Sequence, residues 1–142
     1  MVFHTKYHAG VIKAAAYDSG GVLIAETSLR TAGEETCLTL EPEQKAFKEG
    51  ELCYVRLKYT DKNGIVKPLA KGPVKVAVKG GTLLGLGSAC PYYTRSYLGD
   101  TADTYYGEAI AVVKPDHTGE IPIFAKSRYG EAQTVIRPVK EE

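Results

Sequence analysis

The 142-residue sequence has no tryptophan, one methionine, three histidines and three cysteines. It also has no apolar run near the roughly 20 residues that a membrane-spanning helix needs, so no membrane span is predicted. Its 18 basic and 17 acidic residues give a formal net charge of +1. No basic stripe with interleaved aromatic residues is present, so nucleic acid is not predicted as a partner. The first four residues lack the basic and apolar regions of a signal peptide.

The scarce cysteines and histidines do not have the spacing of a metal site or a disulfide framework. The cysteines are odd in number and far apart in the sequence: Cys37, Cys53 and Cys90. His4 and His8 have the spacing of a helical metal pair, but an extended chain would hold them about 13 Å apart. The third histidine, His117, is distant in the sequence. We therefore predict no metal and no cofactor.

The sequence does have strands, and the clearest lies at residues 52–60. Its side chains alternate between apolar and polar, which is the period-two pattern of a strand with one buried face. The apolar set is Cys53, Val55, Leu57 and Tyr59. Asn63 and Gly64 follow and suit a tight turn, so we predict that strand 74–78 pairs with this one. Between Pro68 and Pro73 we expect the chain to cross from one sheet to the other.

Further strands are predicted at 10–17 and 22–30 as a hairpin, and at 36–40, 108–113, 121–126 and 132–139. Pro42 confines the strand at 36–40 to an edge or a terminus, and Pro122 implies that the strand at 121–126 has one unpaired side. In the last strand Val135 is expected inward and Arg137 outward. Glycines predict a bent strand or a bulge at 82–87, and residues 88–107 form the longest stretch without periodicity. This succession of short strands and turns predicts an all-β immunoglobulin-like β-sandwich with an extra N-terminal hairpin.

No stretch carries a catalytic signature. Residues 80–87 are rich in glycine, but no helix pattern follows, and a phosphate-binding loop requires one. A Ser/His/Asp catalytic triad is kept as an alternative, although no nucleophile-elbow motif supports it. Asp100, Asp103 and Glu108 are close in the sequence, as the carboxylate pair of a glycosidase would have to be close in space. Acids in such a loop more commonly make turns. No catalytic residue is therefore predicted.

The long loop concentrates aromatic residues around one arginine. The candidate site residues are Tyr92, Tyr93, Arg95, Tyr97, Tyr105 and Tyr106. Exposed aromatic rings stack on flat ligands such as sugars, but the same rings also pack a loop onto its own domain or a neighbouring one. Both hypotheses, carbohydrate binding and a domain interface, stay open.

Three segments carry a resemblance to a known family: residues 52–64, 72–87 and 107–113. They resemble the C-terminal immunoglobulin-like domain of bacterial family 2 glycoside hydrolases of the β-galactosidase type. Residues 7–18 and 31–33 are similar to the end of the preceding sandwich domain in those enzymes. One turn departs from the pattern: Ser88-Ala89-Cys90-Pro91 stands where relatives usually have Asn-Gly-(Asp/Asn)-Pro. No contact made by that turn is carried over.

The resemblance implies a non-catalytic accessory domain, because those enzymes hold their catalytic glutamates in a TIM barrel that this length cannot include. Residues 1–33 are expected to be terminal strands and a linker of a preceding domain, and residues 34–142 the sandwich itself. The expected partners are other domains of the same parent enzyme, and carbohydrate if the tyrosines bind it. The resemblance also implies a bacterial parent, either periplasmic or secreted. A free-standing adhesin-like module is the remaining alternative.

Overall fold

The computed structural model describes residues 2, 4–116 and 119–139. Eleven strands lie within these residues, and no helix among them is long and apolar enough to cross a membrane. The strands are β1 (Val11–Tyr17), β2 (Leu23–Arg30), β3 (Cys37–Pro42), β4 (Ala46–Phe47), β5 (Cys53–Thr60), β6 (Pro73–Val78), β7 (Gly81–Gly87), β8 (Thr101–Asp103), β9 (Glu108–Pro115), β10 (Ile121–Ser127) and β11 (Gly130–Pro138). His117 lies outside the described residues.

Strands β3 to β11 form two sheets, one with the order β3-β5-β9-β7 and the other with β4-β11-β10-β6-β8. The first order corresponds to strands A, B, E and D of the immunoglobulin fold, and β6, β10 and β11 correspond to C, F and G. Strand β4 runs parallel to β11 at the edge of the second sheet. The predicted immunoglobulin-like sandwich is therefore confirmed.

The core lies between the two sheets and is built from alternate residues of each strand. Cys53, Val55, Leu57 and Tyr59 of β5 are all 0% exposed, as their alternation predicts. Val74 and Val76 of β6 face them from the other sheet. Burial also raises the pKa of the Cys53 thiol, with a smaller contribution from Glu51. Full burial of one such aliphatic side chain contributes about 1.5–3 kcal/mol, so the core supplies the main stabilisation of the sandwich.

The predicted pairing of β5 with β6 is wrong. The turn forms as expected, with the Gly64 amide donating to the Asp61 carbonyl at 3.0 Å and Gly64 at φ +82. The chain then crosses to the second sheet, where β6 pairs with β10 and β8. Alternation shows which face of a strand is buried but not which strand lies beside it. The crossing predicted between Pro68 and Pro73 is confirmed.

One strand was not predicted, and two smaller expectations also fail. The non-periodic stretch contains the short strand β8, which pairs with β6. Val135 lies opposite Pro122, whereas Ile136 lies opposite the fully buried Ile121, so it is Ile136 that points inward. Of the two proline expectations, one holds and one fails. Pro42 ends edge strand β3, as expected. Strand β10 has no unpaired side, because it pairs with β11 and with β6, and the Pro122 carbonyl accepts the Lys79 amide at 3.0 Å.

Strands β1 and β2 form a separate antiparallel hairpin, as predicted. Its turn is held by Asp18, whose Oδ1 accepts the amides of Gly20 and Val22 at 2.8 Å each. Every residue of both strands is exposed. The hairpin is therefore ordered by its own backbone pairing, and neither of its faces is packed within the described residues.

Candidate functional site

Residues 88–107, which we call the tyrosine loop, pack onto the sandwich through their first half. The rings of Tyr93 and Tyr97 are stacked, with centroids 4.7 Å apart and planes inclined by 29°. Tyr97 lies against Gly87 so closely that any side chain at that position would collide with its ring. Its carbonyl accepts the Leu86 amide at 2.8 Å. This end of β7 therefore needs a glycine because an aromatic ring covers its backbone.

Tyr93 is the half-buried member of this stack and packs against the core. Burial raises the pKa of its hydroxyl, and nearby Asp103 adds to the effect. That hydroxyl is buried without a hydrogen-bond partner among the described residues. These features indicate that Tyr93 anchors the loop rather than contacting a ligand.

Two neighbours of the stack point away from the sandwich. Tyr92 is 86% exposed and Leu98 is 83% exposed. Sequence reasoning identified Tyr92 but missed Leu98, because a lone leucine in a loop carries no pattern. Each exposes an apolar side chain on the outside of the loop, where a flat ligand or another protein surface can contact it.

The charged residues of the loop are paired with one another or with nearby strands. Arg95 donates to Asp103 at 2.6 Å, and this contact raises the pKa of the guanidinium. Asp100 accepts the Thr101 hydroxyl at 2.8 Å and lies 3.2 Å from Lys75. The Thr101 hydrogen bond, followed by that with Lys75, lowers the pKa of Asp100. The general acid of a glycosidase needs the opposite shift, so Asp100 does not suit that role.

Tyr105 and Tyr106 form a second aromatic pair at the start of β9. Their rings meet edge to face with centroids 4.5 Å apart, and Tyr106 adopts a positive φ of 49°. Desolvation raises the pKa of Tyr105, and contact with Tyr106 adds to the shift. No ring contact joins this pair to Tyr93 and Tyr97 in the part of the chain that the structure describes. The predicted cluster is therefore two separate pairs.

A shallow groove of about 180 Å³ runs beside Tyr105. Arg56, Ser88 and Glu108 line it with polar groups. Arg56 is already paired with Glu43 at 3.0 Å, which raises the pKa of the guanidinium. The groove is open and no nucleophile and base are hydrogen-bonded to each other in it. Its lining is a mixture of these polar groups with Tyr105, Ala89, Ala109 and Ile110.

A different feature, absent from the predicted site, joins the hairpin to the sandwich. The Lys67 ammonium donates to three consecutive carbonyls, those of Gly33, Glu34 and Glu35, at 2.9, 2.7 and 3.1 Å. A lysine has three donors, so this arrangement uses all of them. We call these contacts, together with those of Asp61, the linker clamp.

Asp61 is the second member of the linker clamp and is 3% exposed. Its Oδ2 accepts the Gly33 amide at 2.8 Å. Its Oδ1 accepts the amides of Asn63 and Ile65 at 2.8 and 2.9 Å. These backbone hydrogen bonds, that of Gly33 first, lower the pKa of the carboxyl group. The Asp-x-Asn-Gly motif was visible in the sequence, but the role of its aspartate in holding residues 33–35 was not.

A cleft of about 530 Å³ separates the hairpin from the sandwich beside this clamp. Ile12 and Leu29 contribute one wall, and residues 65–70 the other. Leu69 is 86% exposed there. Within the described residues, no group of three or more histidine, cysteine or acidic side chains has an arrangement that could hold a metal ion.

Comparison with known proteins gives a consistent assignment. Residues 38–136 match the family model described as glycoside hydrolase family 2 C-terminal domain 5. No curated protein matches the chain in sequence. A solved glycosyl hydrolase family 2 member from Bacteroides cellulosilyticus is 27% identical with a TM-score of 0.85, and the match covers 96% of this chain and 19% of that chain.

Two more distant structures share the fold. A beta-glycosidase from Bacteroides vulgatus is 21% identical with a TM-score of 0.84, and the match covers 96% of this chain and 18% of that one. A beta-glucuronidase of glycoside hydrolase family 2 is 19% identical with a TM-score of 0.75, over 97% of this chain and 15% of that one. The chain therefore spans less than a fifth of the length of these proteins.

Proposed function

We propose that this chain, which belongs to the glycoside hydrolase family 2 C-terminal domain 5 family, is a non-catalytic accessory domain of a larger β-galactosidase-like enzyme. The observation that carries the proposal is the match to the Bacteroides cellulosilyticus enzyme, which covers 96% of this chain but only 19% of that one. The site geometry agrees with it, because the acids of the tyrosine loop are engaged in ion pairs and hydrogen bonds.

The β-galactosidase type is the finer part of this proposal. It is supported by the resemblance of residues 52–64, 72–87 and 107–113 to that group. The two more distant matched structures are described as a beta-glycosidase and a beta-glucuronidase, so the comparison of substrates is the informative test. We expect the parent polypeptide to hydrolyse an aryl β-galactoside faster than the matching β-glucuronide, and the 142-residue chain to hydrolyse neither. Faster hydrolysis of the glucuronide would contradict the assignment.

We further propose that residues 1–33 are terminal strands and a linker of a preceding domain, and that residues 34–142 are the accessory sandwich. The exposure of every residue in β1 and β2 supports this division. A two-stranded hairpin is only marginally stable alone in water, so it needs another surface to pack against.

The role we assign to the sandwich is to pack against the other domains and stabilise the assembly. Removal of residues 34–142 from the parent should lower its melting temperature and its yield of soluble enzyme. Activity lost at high temperature but retained at low temperature would indicate support of the fold rather than a part in the reaction. Unchanged stability and activity after the deletion would contradict the role.

Carbohydrate binding by the tyrosine loop is the second candidate, and the exposure of Tyr92 favours it. Tyr92→Ala is the more specific test, because Tyr97 also covers Gly87 and truncation of Tyr97 would disturb the loop itself. Titration with galacto-oligosaccharides should then show binding that is several-fold weaker in Tyr92→Ala. Tyr17→Ala, an exposed tyrosine on the hairpin, is the matched control. Equal binding, or none, in all three proteins would remove this candidate.

A further inference from the structure

The two faces of the hairpin differ in charge. In the β1–β2 register, Ile12 lies opposite Leu29, Ala14 opposite Thr27, and Ala16 opposite Ala25. Directly opposed residues share a face, so these six form a face without any charge, which we call the uncharged hairpin face. The other face carries Lys13 and Glu26, which form an ion pair at 2.6 Å. One uncharged face and one charged face is the pattern of a sheet that packs on one side.

The uncharged hairpin face continues into the cleft beside the sandwich. Ile12 and Leu29, at the base of the hairpin, are 52% and 75% exposed, and both line the cleft. On the sandwich side, Leu69 is 86% exposed and lines the same cleft. Two elements that are far apart in the sequence therefore turn large apolar side chains towards one space.

The linker clamp holds the two walls of this cleft in place. Lys67 and Asp61 bind residues 33–35 from the sandwich side. The base of the hairpin is closed by Thr31, whose amide donates to the Gly10 carbonyl at 2.8 Å and whose hydroxyl accepts the Gly10 amide at 3.1 Å. The short link between these anchors makes the cleft a persistent surface rather than a gap along a free linker.

The comparisons show that a hairpin-and-sandwich unit of this kind is one part of a much longer polypeptide. The match to the Bacteroides cellulosilyticus enzyme covers 96% of this chain, so it includes most of the hairpin as well as the sandwich. That hairpin-and-sandwich unit forms 19% of a much longer chain. Because Ile12, Leu29 and Leu69 line the cleft with exposed apolar side chains, a domain that fills it has to present an apolar surface both to the hairpin and to the 65–70 turn.

We propose that this cleft seats the preceding domain of the same polypeptide, which packs on the uncharged hairpin face and contacts Leu69. The inference rests on the proposed function and adds the surface through which the accessory sandwich docks. It assigns the 65–70 turn, rather than the tyrosine loop, as the contact of the sandwich with its neighbour in the chain.

The test compares one substitution in two settings. Leu69→Asp and the matched control Leu98→Asp replace leucines of nearly equal exposure, 86% and 83%, on different loops. In the 142-residue chain both variants should melt within about 2 °C of the parent sequence, since neither side chain is packed. In a polypeptide that includes the preceding domain, Leu69→Asp should lower the melting temperature by about 4 °C or more. Leu98→Asp should not.

Three outcomes would overturn the inference. One is a Leu69→Asp variant as stable as Leu98→Asp in the longer polypeptide. Another is a larger loss for Leu98→Asp, which would assign the contact to the tyrosine loop. The third is a dimer of the 142-residue chain, seen by sedimentation, that Leu69→Asp abolishes, because the occupant would then be a second copy. If deletion of residues 34–142 destabilises the parent while Leu69→Asp does not, this inference fails and the proposed function stands.

Discussion

The hairpin and the sandwich are built from similar strands, yet only the sandwich buries them. Ile12 of β1 is 52% exposed, whereas Leu57 of β5 is 0% exposed. Both strands are rich in apolar residues, and β1 is paired along its length with β2 on one edge, whereas β5 is paired with β3 and β9 on its two edges. The difference is the second layer, because a sheet buries a face only when another sheet or helix covers it. Apolar content therefore predicts that a strand will be covered, but not that its own domain supplies the cover.

The sandwich and the hairpin are also stabilised by different interactions. The sandwich is held by side chains that interlock between its sheets, and their removal leaves cavities. The hairpin is held by backbone hydrogen bonds and by the Asp18 turn. Substitutions of buried residues in the sandwich should therefore lower the free energy of unfolding strongly, whereas substitutions in the hairpin should hardly change it.

The largest effect is expected for Leu57→Ala in β5. Leu57 is fully buried in the core, so the substitution removes packed methyl groups and leaves a cavity. The free energy of unfolding should fall by about 2–5 kcal/mol, as measured by urea denaturation. A loss below about 1 kcal/mol would show that the two sheets are not tightly packed, and the contrast with the hairpin would no longer stand.

A second, smaller effect separates a packed glycine of the sandwich from an open one. Gly107 has φ +78, and a Cβ added there would lie 2.6 Å from the Lys67 carbonyl oxygen. Gly64 has φ +82 with nothing within 4 Å of the same position. Gly64→Ala should cost about 1 kcal/mol of backbone strain, and Gly107→Ala about 1–3 kcal/mol more because backbone must move. Equal losses of unfolding free energy for the two variants in denaturant titrations would contradict a costly contact between the new Cβ and the Lys67 carbonyl oxygen.

Much of this fold was predictable because local chemistry determined it. The alternation in β5 was sufficient to identify the buried set from Cys53 to Tyr59, and Pro42 limited β3 to an edge or a terminus. The pairing of β5 and β6 was not predictable in this way. A turn at Asn63-Gly64 suits a hairpin, and only the competition with β9 and β3 for the edges of β5 excludes it. Strand β8 was missed because three residues carry no periodicity.

The candidate site was less predictable than the fold. The tyrosines were identified by composition, but their division into two pairs depends on where the loop folds back over Gly87. Lys67 looked like an ordinary exposed lysine, since nothing near it in the sequence refers to residues 33–35. Contacts made across about 30 positions of the chain arise from topology, and a single sequence does not encode them in any local pattern.

The pH dependence of stability tests the junction between the two regions. The folded-state pKa of Asp61 is lowered, so its ionised form stabilises the fold above the unfolded value near pH 4. That contribution is lost as the pH falls through the lower folded value. Asp61→Asn places an amide donor in the clamp where a carboxylate oxygen accepts backbone amides, so it should be less stable at pH 7. The difference in melting temperature between the parent sequence and Asp61→Asn should become smaller towards pH 3.

Asp18→Asn is the matched control for this experiment, because Asp18 holds a turn in the same manner but on the hairpin. Its melting temperature should follow that of the parent sequence at every pH, since the hairpin adds little to the unfolding of the sandwich. A gap for Asp61→Asn that stays constant with pH would contradict the assigned role of its ionised form.

The smallest effect is expected for Ile12→Ala on the uncharged hairpin face. Because about half of this side chain is already exposed, its truncation in the 142-residue chain should change the free energy of unfolding by less than about 0.5 kcal/mol. Urea denaturation of Ile12→Ala and Leu57→Ala under the same conditions gives the ratio of their losses in the free energy of unfolding. A loss above about 1 kcal/mol would mean that in solution the hairpin folds down onto its own sandwich. The same residue would then belong to the core of this domain, and the hairpin would no longer be available to a neighbouring one.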